Sequence, residues 1–262
     1  MTSTLQDSDI RCLFFDTFGT CVDWRTTVTD TLWKTARDAL SSGTASIDSH
    51  VRSLATDMDW RNGYYHFTFE ISQDPSIPWK TVDEHHFESF KRLLTTRGLL
   101  TDNDNGSLWT EPEIQDLSLV WHRLDPWPDT QQGLAELNKN FQTCILSNGN
   151  MSLLNGLVAH GKLPVQHILS AEMFRSYKPS PKVYLGAVEK MGLKPEQCAL
   201  VAAHLEDLKA AKACGLRTVY VERRDEESHG ELRGDGIEDV WVGEGEEGLV
   251  RAAEKLGVKV GT

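Results

Sequence analysis

Four groups of polar residues in this sequence follow or adjoin short apolar runs: Asp16 with Thr17 and Thr20, Ser147 with Asn148, Lys178 in SYKPSPKVY, and His204 with Glu206 and Asp207. An aspartate delivered at the end of a buried strand can attack as a carboxylate nucleophile. A lysine reaching the same rim keeps that carboxylate ionised by charge pairing. Ligands of an open parallel sheet bind in the crevice beyond the carboxyl ends of its strands, so four such groups in one sheet predict a single site. Each group alone has a plainer reading, in which its Asp or Asn caps the following helix.

The elements that must position these groups are the apolar runs RCLFFDTFGT, QTCILSNGN, HILSAE, QCALVAAH and LRTVYVE. Between them lie helical segments, TQQGLAELNKN, PKVYLGAVEKMG and LEDLKAAKACG, the last two closed by Gly192 and Gly215. Strands alternating with helices of this length predict βαβ units and a parallel sheet. From residue 27 to residue 124 the pattern changes. There TDTLWKTARDAL, HVRSLATDMDWRNGYYHFTFE, HHFESFKRLLTTRGL and PEIQDLSLVWHRL read as helices, joined by the polar loops SSGTAS, SQDPSIP and TDNDNGS. The expected fold is therefore α/β. A Rossmann-like core, residues 1–26 and 125–262, carries a parallel sheet flanked by helices, and a helical cap, residues 27–124, is inserted after the first strand. The charged segment ERRDEESHGELRGDGIED reads as a solvated surface loop. His85 and His86, with no carboxylate or cysteine at metal-ligand spacing, read as surface residues of the cap.

Composition narrows the function. The chain has 262 residues, 39% hydrophobic and 25% charged, which is ordinary for a globular protein with a sizeable core. Lys and Arg number 27 against 39 Asp and Glu, a net charge of −12 that argues against nucleic acid as a partner. The five cysteines are scattered without a C-x-x-C pair, as in a reducing compartment. No basic leader precedes an apolar run and no stretch approaches 18 consecutive apolar residues, so a cytoplasmic protein with no membrane association is expected.

The polar groups also carry a resemblance. FFDTFGTCVDWR (14–25), Trp60 and Arg61 followed by Tyr64, WHRLDPWPD (121–129), ILSNGN (145–150), YKPSPKVY (177–184) and VAAHLEDLKAA (201–211) occur in an order that resembles the haloacid dehalogenase superfamily, and within it the type II (S)-2-haloacid dehalogenases. The resemblance implies a haloacid dehalogenase-type core and a mechanism. Asp16 attacks C2 of a short-chain (S)-2-haloacid opposite the halogen, and water hydrolyses the aspartyl ester to an (R)-2-hydroxyacid. Asp16, Lys178 and Asp207 are the implied catalytic residues, with Asp207 orienting or activating the water. Arg61 and Asn148 correspond to a halide cradle, while Ser147 and the backbone N–H groups of the loop from Thr17 would meet the substrate carboxylate. Thr20 would fix that loop, Phe18, Trp60 and Tyr64 would form a dry wall, and Tyr184 would bond the lysine or the late acid.

One position separates this reading from its rival, a Mg²⁺-dependent phosphatase acting on a small phosphometabolite. Superfamily phosphatases carry a second aspartate two residues after the nucleophile, and here that residue is Phe18, which can neither donate nor accept a proton. Halide leaves without protonation, so a dehalogenase can dispense with that acid. The resemblance accordingly implies no metal and no cofactor, and it implies a homodimer formed through the cap. A non-enzymatic binding protein on the same fold is a third reading, against which Asp16, Lys178 and Asp207 all stand. The chain departs from the best-known type II enzymes in having Ala202, Ala203 and His204 where they have Ser-Ser-Asn. The support of Lys178 and of the lytic water must therefore differ, with His204 expected to hold Asp207 or the substrate carboxylate, or to titrate in the working range.

Overall fold

A computed structural model describes residues 9–41, 59–100 and 107–261. The predicted loops SSGTAS and TDNDNGS lie almost wholly outside the described residues, as does the start of the predicted helix from His50. The chain enters through β1 (Cys12–Phe15), whose four residues are all buried. A strand with no polar face belongs in the middle of a parallel sheet covered on both sides, and β1 lies there. Six strands pair in parallel in the order β3-β2-β1-β4-β5-β6. The others are β2 (Gln142–Ser147), β3 (His167–Ser170), β4 (Cys198–Ala202), β5 (Arg217–Val221) and β6 (Val240–Val242). Phe15 is level with Ile145 of β2 and Val201 of β4, so the carboxyl ends of three central strands open onto one rim. β1 is where the strand order turns back, the position at which such sheets bind ligands.

Every described element between β1 and β2 is helical. Helix α1 (Trp24–Ser41) buries Trp24, Val28, Leu32 and Ala36, one stripe at four-residue spacing. It starts earlier than the sequence pattern predicts, directly behind the loop that follows Asp16. Helices α2 (Asp59–Gln73), α3 (Val82–Thr96) and α4 (Glu111–Ser118) follow, and a 3₁₀ turn over Leu119–Arg123 leads back to the sheet. Thr81 with Glu84 and Thr110 with Glu113 form capping boxes that fix where α3 and α4 begin. After β2 the helices are α6 (Met151–Gly161), α7 (Pro181–Lys190), α8 (Leu205–Ala213) and α9 (Gly248–Lys255), with α5 (Thr130–Leu137) preceding that strand. Gly192 and Gly215 take left-handed φ values of 65° and 89° behind α7 and α8, as their places in the sequence predict. Strand β6 escapes the sequence pattern because it is a three-residue edge strand with Trp241 partly exposed. No helix among the described residues is long and apolar enough to cross a membrane.

The structure corrects the reading of His85 and His86, which are buried at 8% and 0% exposure. The phase set by the Thr81 cap turns both inward with Val82, Ser89 and Phe90. His86 stacks flat on Trp121, centroids 4.4 Å apart and planes 1° apart, and also on Tyr64, while His85 stacks on Phe67 at 4.2 Å. These imidazoles serve as flat packing rings between the helices and the 3₁₀ turn that carries Trp121. Burial, reinforced by the nearby Arg61 charge, holds His86 well below the usual histidine range. Burial pushes His85 down to about 4.

Both rings are thus neutral in the folded protein near pH 7, whereas an unfolded histidine takes up a proton near pH ~6.5. Below that pH the unfolded chain binds protons that the folded chain does not, so these groups contribute stability above about pH 6.5 that is lost as the pH falls. The urea midpoint should drop between pH ~7.5 and ~5.5, and His86→Phe should reduce that drop. Equal drops in both proteins would show that His86 takes no part in the pH dependence.

Candidate active site

Asp16 stands one residue past β1, only 7% exposed, with its amide donating to Val201 O of β4 at 3.0 Å. The chain then turns back on itself: Gly19 N donates to Val22 O, and Cys21 N and Val22 N both donate to Thr17 O. The carbonyls left over point into protein, where each needs a donor. Trp127 Nε1 serves Gly19 O at 2.9 Å, Arg223 Nε serves Thr20 O at 3.1 Å, and Thr130 Oγ1 serves Cys21 O at 2.8 Å. Gly19 has φ +82°, and a Cβ there would lie 2.1 Å from Glu226 Oε2. The backbone conformation calls for glycine, and a Cβ would in addition displace the Glu226 carboxylate.

Lys178 closes the charge arrangement. Its Nζ donates to Asp16 Oδ1 at 2.8 Å and to Asp207 Oδ2 at 2.5 Å, with all three side chains nearly buried. Asn148 pins the lysine from behind, Oδ1 accepting from Lys178 N at 2.8 Å and Nδ2 donating to Lys178 O at 3.4 Å. Tyr184 OH donates to Asp207 Oδ1 at 2.5 Å. Thr20 Oγ1 donates to Asp16 Oδ2 at 2.8 Å and accepts from Ala203 N at 2.9 Å. Burial alone would raise the Asp16 carboxyl, but Lys178 and His204 more than reverse this and hold it well below the usual carboxylate range. Burial likewise opposes the Lys178 ammonium, and the Asp16 and Asp207 charges hold it above the usual lysine range. A divalent ion does not fit between Asp16 and Asp207, because the lysine ammonium occupies that place.

Above this floor is a cavity of about 460 Å³, whose lining includes Asp16, Lys178, Asn148, His204 and Asp207 from the sheet rim. Helix α2 contributes Arg61, Tyr64, Tyr65 and Phe69, and Phe18 completes the apolar wall. Phe18 meets Tyr64 and Trp121 edge-on, at 6.2 and 5.9 Å. Arg61 is 3% exposed and has aromatic rings around it, with Tyr64 and Tyr65 at 4.7 and 4.6 Å. Its Nη2 donates to Tyr65 OH at 3.2 Å, while Nε and Nη1 have no partner. A desolvated guanidinium with two unspent donors beside a cavity is suited to an anion.

Not every residue expected at the site reaches the cavity. Ser147 is fully buried and off the cavity lining, its hydroxyl accepting from Gly149 N at 3.3 Å. Thr17 and Trp60 also lie off the cavity lining, Trp60 stacking on Phe90 at 4.4 Å. Thr20 and Tyr184 lie off it too, and bond Asp16 and Asp207 instead. The Asn148 amide is engaged by the Lys178 peptide rather than standing free. His204 lines the cavity and pairs with acids other than Asp207: its Nδ1 is 3.4 Å from Asp16 Oδ2 and its Nε2 is 3.3 Å from Glu226 Oε2.

Glu226 is the residue that sequence reasoning misses. It lies in the charged segment read as a solvated loop, yet it is 6% exposed, and Arg223 in the same segment is 8% exposed and pairs with Asp129 at 2.6 Å. The sequence signal that bears on Glu226 is Gly19, whose missing side chain makes room for it.

An ionised aspartate at the end of the first strand of a parallel sheet, held by a lysine from a later loop and faced by a helical insertion, defines a class of hydrolases. The chain belongs to the haloacid dehalogenase-like hydrolase family, whose pattern matches residues 10–215. It is 28% identical over 217 residues to (S)-2-haloacid dehalogenase 1 of Pseudomonas sp. (strain CBS-3), covering 82% of this chain and 85% of the relative. A solved L-2-haloacid dehalogenase is 31% identical with a TM-score of 0.79, covering 95% of this chain and 100% of its own. A solved defluorinating L-2-haloacid dehalogenase is 30% identical with a TM-score of 0.78, covering 94% and 95%.

Gly19→Ala tests the turn that aims Asp16. The left-handed backbone and the displaced Glu226 together should lower the unfolding free energy by about 1–3 kcal/mol. An unchanged denaturation midpoint would show that the loop relaxes without cost.

Proposed function

We propose that this protein hydrolyses the carbon–halogen bond of short-chain (S)-2-haloacids, giving (R)-2-hydroxyacids through an ester on Asp16. The observation that carries this reading is the Asp16 carboxylate, kept ionised by Lys178 at the floor of a cavity that also holds Arg61 with two unpartnered donors. Attack on C2 opposite the halogen inverts the centre and expels halide, which needs no proton. Phe18, where a phosphatase would place its acid, fits a leaving group of that kind. Arg61 supplies donors where negative charge develops, and its aromatic surroundings keep the charge from being screened by water. The related enzymes named above act on the same class of compound, which supports the assignment. We assign residues 27–124 as the cap over a core of residues 1–26 and 125–262, with Arg61 the cap residue that reaches the reacting centre.

The roles of the other residues follow from their bonds. Lys178 pairs with Asp16, and Asp207 and Tyr184 hold Lys178 in place. Thr20 donates to the second Asp16 oxygen, so the nucleophile is oriented from both sides.

Halide release from each enantiomer of 2-chloropropionate, with and without EDTA, tests the proposal. The (S) acid should release chloride and give (R)-lactate whether or not EDTA is present, and Asp16→Asn should reduce the rate by about 10³-fold or more. No halide from either enantiomer, with Mg²⁺-dependent phosphate release from small phosphate esters, would overturn it.

A further inference from the structure

We propose that Asp83 is a positioning residue for the reaction, acting through Arg61 by setting the register of the helical cap on the two loops that carry the floor of the site. This rests on the reading of Asp16 as the nucleophile and of Arg61 as donor to the departing halide. Asp83 lies in the first turn of α3 and off the cavity lining. Its carboxylate gathers three side chains from elsewhere in the chain. Asn150 Nδ2 donates to Oδ2 at 2.7 Å, Ser152 Oγ donates to the same oxygen at 3.1 Å, and His122 Nε2 stands 2.9 Å from Oδ1. The Asp83 amide in turn donates to Asn150 Oδ1 at 3.2 Å, so these two residues hold each other through both main chain and side chain.

The partners stand where a shift of α3 would reach the site. Asn150 is two residues past Asn148, which pins the Lys178 backbone. A second tie lies next to Lys178 itself. Tyr177 OH donates to Lys80 O at 2.7 Å, and the Tyr177 ring stacks on Trp79 at 4.5 Å. The chain entering α3 is thus held by the same two loops that position the lysine of the nucleophile. His122 belongs to the 3₁₀ turn that carries Trp121, and Gly156 of α6 makes room for its ring, since a Cβ there would lie 3.1 Å from Nδ1.

From α3 the register passes to Arg61. Trp60 Nε1 donates to His86 O at 3.2 Å, and the Trp60 ring stacks on Phe90 at 4.4 Å. Tyr64, one of the rings around Arg61, stacks on His86 with planes 15° apart. Helix α2 therefore rides on α3 through residues on either side of Arg61, and α3 rides on the core through Asp83. Burial would raise the Asp83 carboxyl, but His122 and Asn150 hold it below the usual carboxylate range, so near neutral pH it is an ionised acceptor for these donors. Aromatic contacts alone allow helices to slide, whereas hydrogen bonds to one carboxylate fix both distance and direction. The chemistry needs that precision, because a shift of about 1 Å at a reacting centre can cost about 10²-fold in rate.

The test is single-turnover halide release from (S)-2-chloropropionate and (S)-2-bromopropionate by the wild type, Asp83→Asn, Asn150→Ala and the double variant, with the folded fraction of each followed by circular dichroism. Chloride is the poorer leaving group and carries the more concentrated charge, so its release depends more on the Arg61 donors. Each single variant should slow chloride release by about tenfold and bromide release by about threefold or less. The double variant should be no slower than the slower single one, because the two side chains serve one contact. A purely structural role would lower the folded fraction and slow both halides by the same factor. Equal slowing, unchanged rates, or losses that multiply in the double variant would each overturn the proposal and leave the functional reading standing. A wild type that releases neither halide would overturn that reading instead.

Discussion

The Lys178 ammonium lies between two carboxylates at the carboxyl end of the sheet, and the rest of the site is arranged to make that burial tolerable. Two carboxylates this close, with side chains 10% and 11% exposed, would repel strongly in a medium that screens poorly. A single cation within 2.8 Å of both satisfies them together, provided that its position is fixed. Asn148 fixes the lysine backbone with two bonds, and Tyr184 and Thr20 take up further lone pairs on the acids. The strand register is part of the same arrangement, since Phe15, Ile145 and Val201 run level and bring the following loops to one rim.

Dryness is the second requirement, and aromatic side chains meet it. Trp24 stacks on Trp121, Trp60 on Phe90, and Phe18 stands edge-on to Trp121, so the helical layer covers the site with rings rather than with mobile charged chains. Within that layer Arg61 keeps its charge by contact with the ring faces and leaves two donors unspent. Neutral His86 fits the same scheme as a flat ring against Trp121. A histidine read as a surface group is thus a packing residue, because shape and stacking outweigh its polarity once the ring is uncharged.

The order of strands and helices, the helical insertion after β1, and the placing of Asp16, Asn148, Lys178 and Asp207 beside one crevice were all legible in the sequence. Periodicity and glycine stops are local properties, and a parallel sheet converts strand ends into a common rim without further information. The sequence does not say which way the Ser147 hydroxyl turns; it accepts from Gly149 N. The same reasoning failed at His85, His86 and Glu226, where polar type alone suggested solvent. Polarity predicts exposure only on average, and each of these residues has either a stacking partner or a counter-charge from elsewhere in the chain.

Fold class, family and the central charged residues are legible in the chain before it folds, because strand ends and short motifs encode them over a few neighbouring positions. What each charge faces is set by folding. His204 meets Glu226 across a separation of 22 residues, and Trp24 meets that same carboxylate across 202. Such contacts depend on how loops from different strands converge, and on a missing Cβ at Gly19 that no local pattern connects to them.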